Sequence, residues 1–281
     1  MAKKAMLCPR CRRIIGSNED ICSWCGTSRA NPWWKVMGWT RGNLGEGWAV
    51  QAIIAVNIIF YILTLLLSSR HNLSFSPLGF LSPDQRSLLL LGATGRIPID
   101  DFGRPWTLLS ANYLHGGLLH ILFNLMALRQ IAPLVIHEYG TNRMFTIYTV
   151  GGVCGYAVSY LAGTPFTIGA SAAVCALIGS LLYYGKSRGG AYGAAVFHEV
   201  WGWVVGLFVF GLIMPGIDNW AHGGGILGGV LVGMLLGYKE KRRETSVHSA
   251  LTLACATATI VALAWAMISS VAAGLVHLRM G

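Results

Sequence analysis

Seven apolar runs, each long enough to cross a bilayer, constrain this chain more than any other feature. They cover about 48–67, 115–136, 144–162, 169–185, 200–217, 220–238 and 251–273. A helix crosses the hydrocarbon core with roughly 20 mostly apolar residues. No water is available there, so each run must close its backbone hydrogen bonds within itself and is expected to be helical. Composition agrees, with 54% of the 281 residues hydrophobic and 11% charged, against about a quarter charged in a soluble domain. The expected class is an α-helical polytopic membrane protein. A secretory signal peptide is not expected, because the N-terminus opens on a basic, Cys-rich segment.

The net charge of +10 raises the question of a nucleic-acid partner, and its distribution answers it. Of the 21 Lys and Arg, all but Arg70, Arg86, Arg96, Arg104 and Arg279 fall on the side shared by the N-terminus and the second, fourth and sixth connections. Positive bias of this kind marks the cytoplasmic face. The N-terminus is therefore expected in the cytoplasm and the C-terminus outside, in a plasma membrane of bacterial type. The charge then serves the lipid bilayer and orientation, with no nucleic acid involved.

Ahead of the first run, "CPRC" and "CSWC" place Cys8, Cys11, Cys22 and Cys25 in two CxxC pairs. Four thiolates on two knuckles suit a tetrahedral structural Zn²⁺. The alternative, two disulfides, is disfavoured by a reducing cytoplasm. Residues 1–30 are thus expected to be a small zinc ribbon whose metal supplies the folding energy, with a cytoplasmic partner left open. Residues 31–47 carry Trp33, Trp34 and Trp39 beside Lys35 and Arg41, a composition for an interfacial linker. Cys154, Cys175 and Cys255 lie singly in the runs and read as packing residues.

Polar residues inside the runs carry the chemistry. The second begins with His120 and Asn124, one turn apart on a helix, with His115 just before them. The fourth begins with Ser171 and the sixth with His222. Taken singly, a serine among small residues is packing surface, and a histidine or asparagine is interhelical hydrogen-bond glue. Taken together they change meaning, because helices two, four and six run the same way and place all these groups at one depth. Gly225, Gly229, Gly233 and Gly237 recur every four residues. They offer a smooth face on which Ala172, Ala176 and Gly179 can approach closely. A serine hydroxyl needs a neighbouring base to become a nucleophile, and histidine is the usual one. The oxyanion it forms needs fixed donors, which His120 and Asn124 can supply. The carboxylates Glu138, Glu199 and Asp218 are expected at or beyond span ends, which weighs against a proton-relay transporter.

With "HILFN" at 120–124, "GAS" at 169–171 and "AHGGG" at 221–225, the chain resembles the rhomboid family of intramembrane serine proteases across residues 48–238. The resemblance implies a six-helix core there, followed at 239–281 by a basic loop and a seventh transmembrane helix with a packing role. It implies Ser171 as nucleophile and His222 as general base and acid. His120, Asn124 and the Ser171 backbone amide would hold the oxyanion, and no cofactor is required for catalysis. The long segment 68–114 resembles the family's half-immersed first loop. Substrates would be single-span or other transmembrane proteins, cut near the outer end of a helix. Ala172 stands where the family often has glycine, adding a methyl near the oxyanion site. Cys175 replaces an aromatic, leaving His222 less firmly held beside an exposed thiol. Thr107 follows Trp106 where many members have arginine, which touches the anchoring of the loop. The alternative is a catalytically silent relative that binds membrane clients.

Overall fold

The computed structural model describes residues 5–8, 14–16, 19–23, 28, 47–68, 80–214 and 216–280. It forms two compact units, Met1–Ala49 and Val50–Gly281. In the small unit, β1 (Ala5–Leu7) pairs antiparallel with β2 (Ile14–Gly16), Leu7 opposite Ile14. Ile21 pairs with Ser28 in the same sense. Each CxxC therefore falls between two antiparallel partners. Cys8 and Cys22 are buried. Cys11, Cys25 and the tryptophans of the 31–46 linker lie outside the described residues. The Gly16 N–H donates to Glu19 Oε1 at 2.9 Å, and that bond, with donors from Ser23, holds the Glu19 carboxyl below its usual range.

The large unit is helical. Its elements are α1 (Trp48–Leu67), α2 (Gln85–Leu90), α3 (Thr107–Ser110), α4 (Leu118–Tyr139), α5 (Thr141–Leu161), α6 (Ser171–Arg188), α7 (Gly190–Ile213), α8 (Asn219–Leu236) and α9 (Ser246–Met280). Six of these, all the long ones except α6, are long and apolar enough to cross a membrane. The protein is thus an integral, multi-pass membrane protein. Helix α6 is less apolar for a physical reason: it packs against α4, α5, α7 and α8, and 12 of its 18 residues are buried. Its small and polar side chains meet protein where the other helices meet lipid.

Glycine decides how these helices meet. On α8, Gly225 has no room for a Cβ against the Ala172 carbonyl of α6, nor has Gly229 against that of Ala176. Gly233 continues the row onto Ser180, where a Cβ would stand 3.1 Å from the serine's own. The neighbouring pair, Gly224 and Gly228, faces α5 instead, with a Cβ at 2.6 Å from Val158 Cβ and 2.7 Å from Cys154 Cβ. Helix α8 is therefore smooth on two sides. Gly237, expected in the same row, instead ends the helix at φ +68°, a backbone state that favours glycine.

One boundary and the placement of two residues differ from expectation. Helix α7 begins at Gly190, well before residue 200: Gly189 and Gly190 turn the chain at φ +67° and +66°, and Gly193 already packs, a Cβ there standing 2.7 Å from the Gly185 carbonyl oxygen. Glu199 consequently lies inside a span and not at its end. Arg129, counted with a connection, lies within α4; the charge bias survives without it.

The segment from residue 80 to α4 is ordered by hydrogen bonds within itself and to the loop before α6. Asp84 caps α2, its Oδ1 accepting from the Ser87 N–H at 2.7 Å. Thr94 and Thr167 exchange backbone bonds of 3.1 and 2.7 Å, and the Arg96 N–H donates to the Thr164 carbonyl. Buried Thr107 donates to Thr94 Oγ1 at 3.1 Å, and Ser110 Oγ to the Gly92 carbonyl at 2.8 Å. Thr107 is thus an anchor of this segment in its own right. Helix α9 packs on α5, α2 and α3, with Thr252 Oγ1 donating to the Asn142 carbonyl at 2.8 Å.

Candidate active site

Ser171 is the first residue of α6, and the turn before it is held from three directions. The Gly169 N–H donates to the Ala111 carbonyl at 2.9 Å. The Gly169 carbonyl accepts from the buried Tyr156 hydroxyl of α5, and Thr167 pairs with Thr94. Gly169 itself sits at φ +129°. A Cβ there would stand 2.8 Å from His120 Nε2 and 3.6 Å from Ser171 Oγ. Glycine is required by the backbone, and its missing side chain leaves the space that the imidazole and the hydroxyl flank.

The start of α6 is uncapped. Ala170 offers no side-chain acceptor, and the first bond into the helix is Val174 N–H to the Ala170 carbonyl, 2.9 Å. The N–H groups of Ser171, Ala172 and Ala173 are left at the positive end of the helix dipole. Such a terminus is a natural seat for negative charge.

His120 and Asn124 stand on α4. His120 Nδ1 accepts from the Gly116 N–H at 3.2 Å. An accepting Nδ1 in a neutral imidazole puts the proton on Nε2, the atom that flanks the space at Gly169. His115 supports the ring edge-on, with centroids 5.0 Å apart. Asn124 spends one amide hydrogen on the His120 carbonyl at 2.9 Å and keeps the second. His120 Nε2 and Ser171 Oγ thus flank the same space at Gly169.

His222 lies on the first turn of α8. Asp218 fixes that turn: its Oδ1 accepts from the Ala221 N–H at 3.0 Å, its Oδ2 from Ser159 Oγ of α5, and its carbonyl from the His222 N–H. The backbone contact of Ala172 with Gly225 sets Ser171 and His222 on facing first turns. The structure records no hydrogen bond between Ser171 Oγ and the ring, and His222 Nδ1 is buried without a partner among the described residues. No aromatic ring packs on it there.

Two expectations about the neighbourhood change. Cys175 is 1% exposed, its Cβ lying 3.1 Å from where a Cβ of Gly225 would be; the thiol is inside the α6–α8 contact and not at the surface of the site. Ala172 is fully buried in a cluster with Ala111, Tyr156 and Ala221. Its methyl fills the core and does not enter the space at Gly169. Gly116, Tyr156 and Asp218 were not read from the sequence as part of the site. Asp218 had a signal, an N-cap residue directly before the helix; a donor that is a backbone N–H, as at Gly116, has none.

The Rhomboid domain pattern matches residues 103–239 of this chain. The chain is 31% identical over 211 residues to RHOMBOID-like protein 5 of Arabidopsis thaliana, a match that covers 67% of each. It is 31% identical over 135 residues to Rhomboid protease GluP of Bacillus subtilis, covering 48% of this chain and 27% of that protein. With Rhomboid-like protease 5 of Toxoplasma gondii the identity is 30% over 166 residues, 56% of this chain and 19% of that one. The chain thus spans two thirds or less of the length of several relatives it matches, RHOMBOID-like protein 4 at 52% among them. The histidine–asparagine turn, the Ser171 turn and the glycine-faced His222 helix all lie inside the matched region, and with this bundle around them the chain belongs to the rhomboid family.

Proposed function

We propose that the chain is an intramembrane serine endopeptidase acting on transmembrane proteins near one face of the bilayer. Ser171 Oγ attacks the carbonyl carbon of the scissile peptide, and its proton passes to His222. The carbonyl oxygen becomes an oxyanion, received by His120 Nε2–H, the free Asn124 amide hydrogen and the Ser171 N–H. Collapse breaks the C–N bond as His222 gives its proton to the leaving amine. Water, deprotonated by the same ring, then releases the acyl group from Ser171. The observation that carries this reading is the Gly116 bond to His120 Nδ1: it fixes the opposite nitrogen as a donor, beside Ser171 Oγ and an uncapped helix start. Catalytic hydrogen bonds are often long before substrate binds, so the open Ser171–His222 pair is compatible with the role.

The orientation proposed is N-terminus in the cytoplasm, with Ser171 near the outer face of a plasma membrane of bacterial type. The head is proposed to hold one Zn²⁺ through Cys8, Cys11, Cys22 and Cys25. The antiparallel partners flanking each pair and the burial of Cys8 and Cys22 suit thiolate knuckles, and the metal would supply folding energy to a segment with little core. Among the described residues no group of three possible ligands occurs, since two of the four cysteines fall outside them.

The test is cleavage of a single-span reporter in liposomes by the parent and by Ser171→Ala. Cleavage by the parent alone supports the proposal, and equal cleavage by both refutes the serine. The unpartnered His222 Nδ1 favours one second reading, a silent client binder. That reading expects no labelling of Ser171 by a phosphonate probe in a folded protein.

A further inference from the structure

Between α4 and α7 lies a cleft of about 510 Å³ that the proposed chemistry does not use. Phe123, Met126 and Gln130 line it from α4, and Glu199, Trp203 and Phe210 from α7. Phe123 and Phe210 meet edge to face across it, 6.4 Å between centroids. On the α7 wall, Gly202 and Gly206 have open space where a side chain would be, so a helix backbone can lie close to that wall. Helix α7 is the least buried of the six apolar spans.

A carboxyl group stands at one end of this wall. Glu199 is inside the 24-residue α7 and exposed, as is Gln130 facing it. Neither has a hydrogen bond or ion pair among the described residues. Ionisable groups inside a span are costly and ordinarily find a partner in the bundle or a cavity; here there is the cavity, and among the described residues no partner.

We propose that Glu199 and Gln130 form a selectivity subsite that receives one cationic side chain, Lys or Arg, from the spanning helix of a client. The charge is complementary to the carboxylate, the Gln130 carbonyl is a second acceptor, and the face of Trp203, one turn along α7 from Glu199, favours a cation over lipid. Gln130 follows His120 along one helix, about 15 Å further in. The cation is therefore expected about ten residues inward of the bond to be cut. This register rests on the proteolytic reading; the docking itself does not.

The experiment separates the two. Binding of two fluorescent Leu/Ala spanning peptides, one with a single Lys at that depth and one with Leu, is measured on the Ser171→Ala chain in liposomes. The Lys peptide is expected to bind about 3- to 10-fold tighter. The preference is expected to vanish in Glu199→Gln and, with the groove unaltered, when the Lys is moved two positions round the peptide helix. Equal binding of the two peptides, or a preference that survives either change, overturns the subsite. Cleavage of reporters with the same spans is then scored on the chain that keeps Ser171. A Lys preference in binding without cleavage leaves the subsite standing and removes the protease; cleavage without any preference does the reverse.

Discussion

Ala172 shows how far a single methyl can mislead when read from sequence alone. Compared with glycine it looks like an obstruction beside the oxyanion. In the structure it is core, packed on Tyr156 and Ala221. Ala172→Gly is therefore expected to lower stability by about 1 kcal/mol, through lost packing and added backbone freedom, without raising the cleavage rate. Thermal unfolding in detergent, beside reporter cleavage, measures both. Asn124→Ala removes one donor to the oxyanion and is expected to cost about 100- to 1000-fold in kcat. The affinity of the Ser171→Ala background for an uncleaved client should meanwhile stay put, because the donor acts on charge that only the reaction creates. At Gly169 the expectation is sharper. Gly169→Ala meets both a left-handed backbone and His120 Nε2 at 2.8 Å, so cleavage should be lost while the bundle still folds; loss of cleavage together with unchanged melting is the pattern to look for.

At the scale of elements, the glycine row of α8 is the decisive contact. Gly229→Ala has no space against the Ala176 carbonyl, so α6 and α8 must separate. The expected cost is about 3 kcal/mol or more, as for other overpacked positions, with cleavage lost alongside. Gly223→Ala is the control: it meets nothing within 4 Å and should stabilise the helix by about 0.5–1 kcal/mol. If both variants melt alike, the tight α6–α8 contact is wrong. This row was legible because a period of four among apolar residues has few other causes. The start of α7 was not legible, and the same residue type explains why. Gly189 and Gly190 turn the chain whereas Gly193 packs on the Gly185 backbone, and glycine in a sequence does not say which it will do. His120 and Ser171 could be placed together from depth alone, since two helices running the same way share a ruler of about 1.5 Å per residue. The tautomer of His120 could not, because it depends on one backbone N–H from outside that helix. The burial of Cys175 was equally hidden, since a helix position does not reveal which of its sides meets protein.

At the scale of the whole molecule, the two units invite separate tests. A chelator, or Cys8→Ser, is expected to release one zinc per chain and make residues 1–47 sensitive to protease, while the helical unit melts as before. Elemental analysis and limited proteolysis follow the two events; a chain that binds no zinc when all four cysteines are reduced refutes the metal. Within the helical unit, stiffness is unevenly shared. Ser171 and His222 stand on helices whose backbones touch, whereas α7 rests chiefly on α6 and leaves most of its length to lipid. A bilayer thicker or thinner than this bundle is accommodated by tilt, and the loosely seated helix is the one free to tilt. Under the proposed function, changing acyl-chain length should therefore alter how readily a client is admitted while the intrinsic rate at the serine holds constant, which would make membrane thickness itself a control on which clients reach the site.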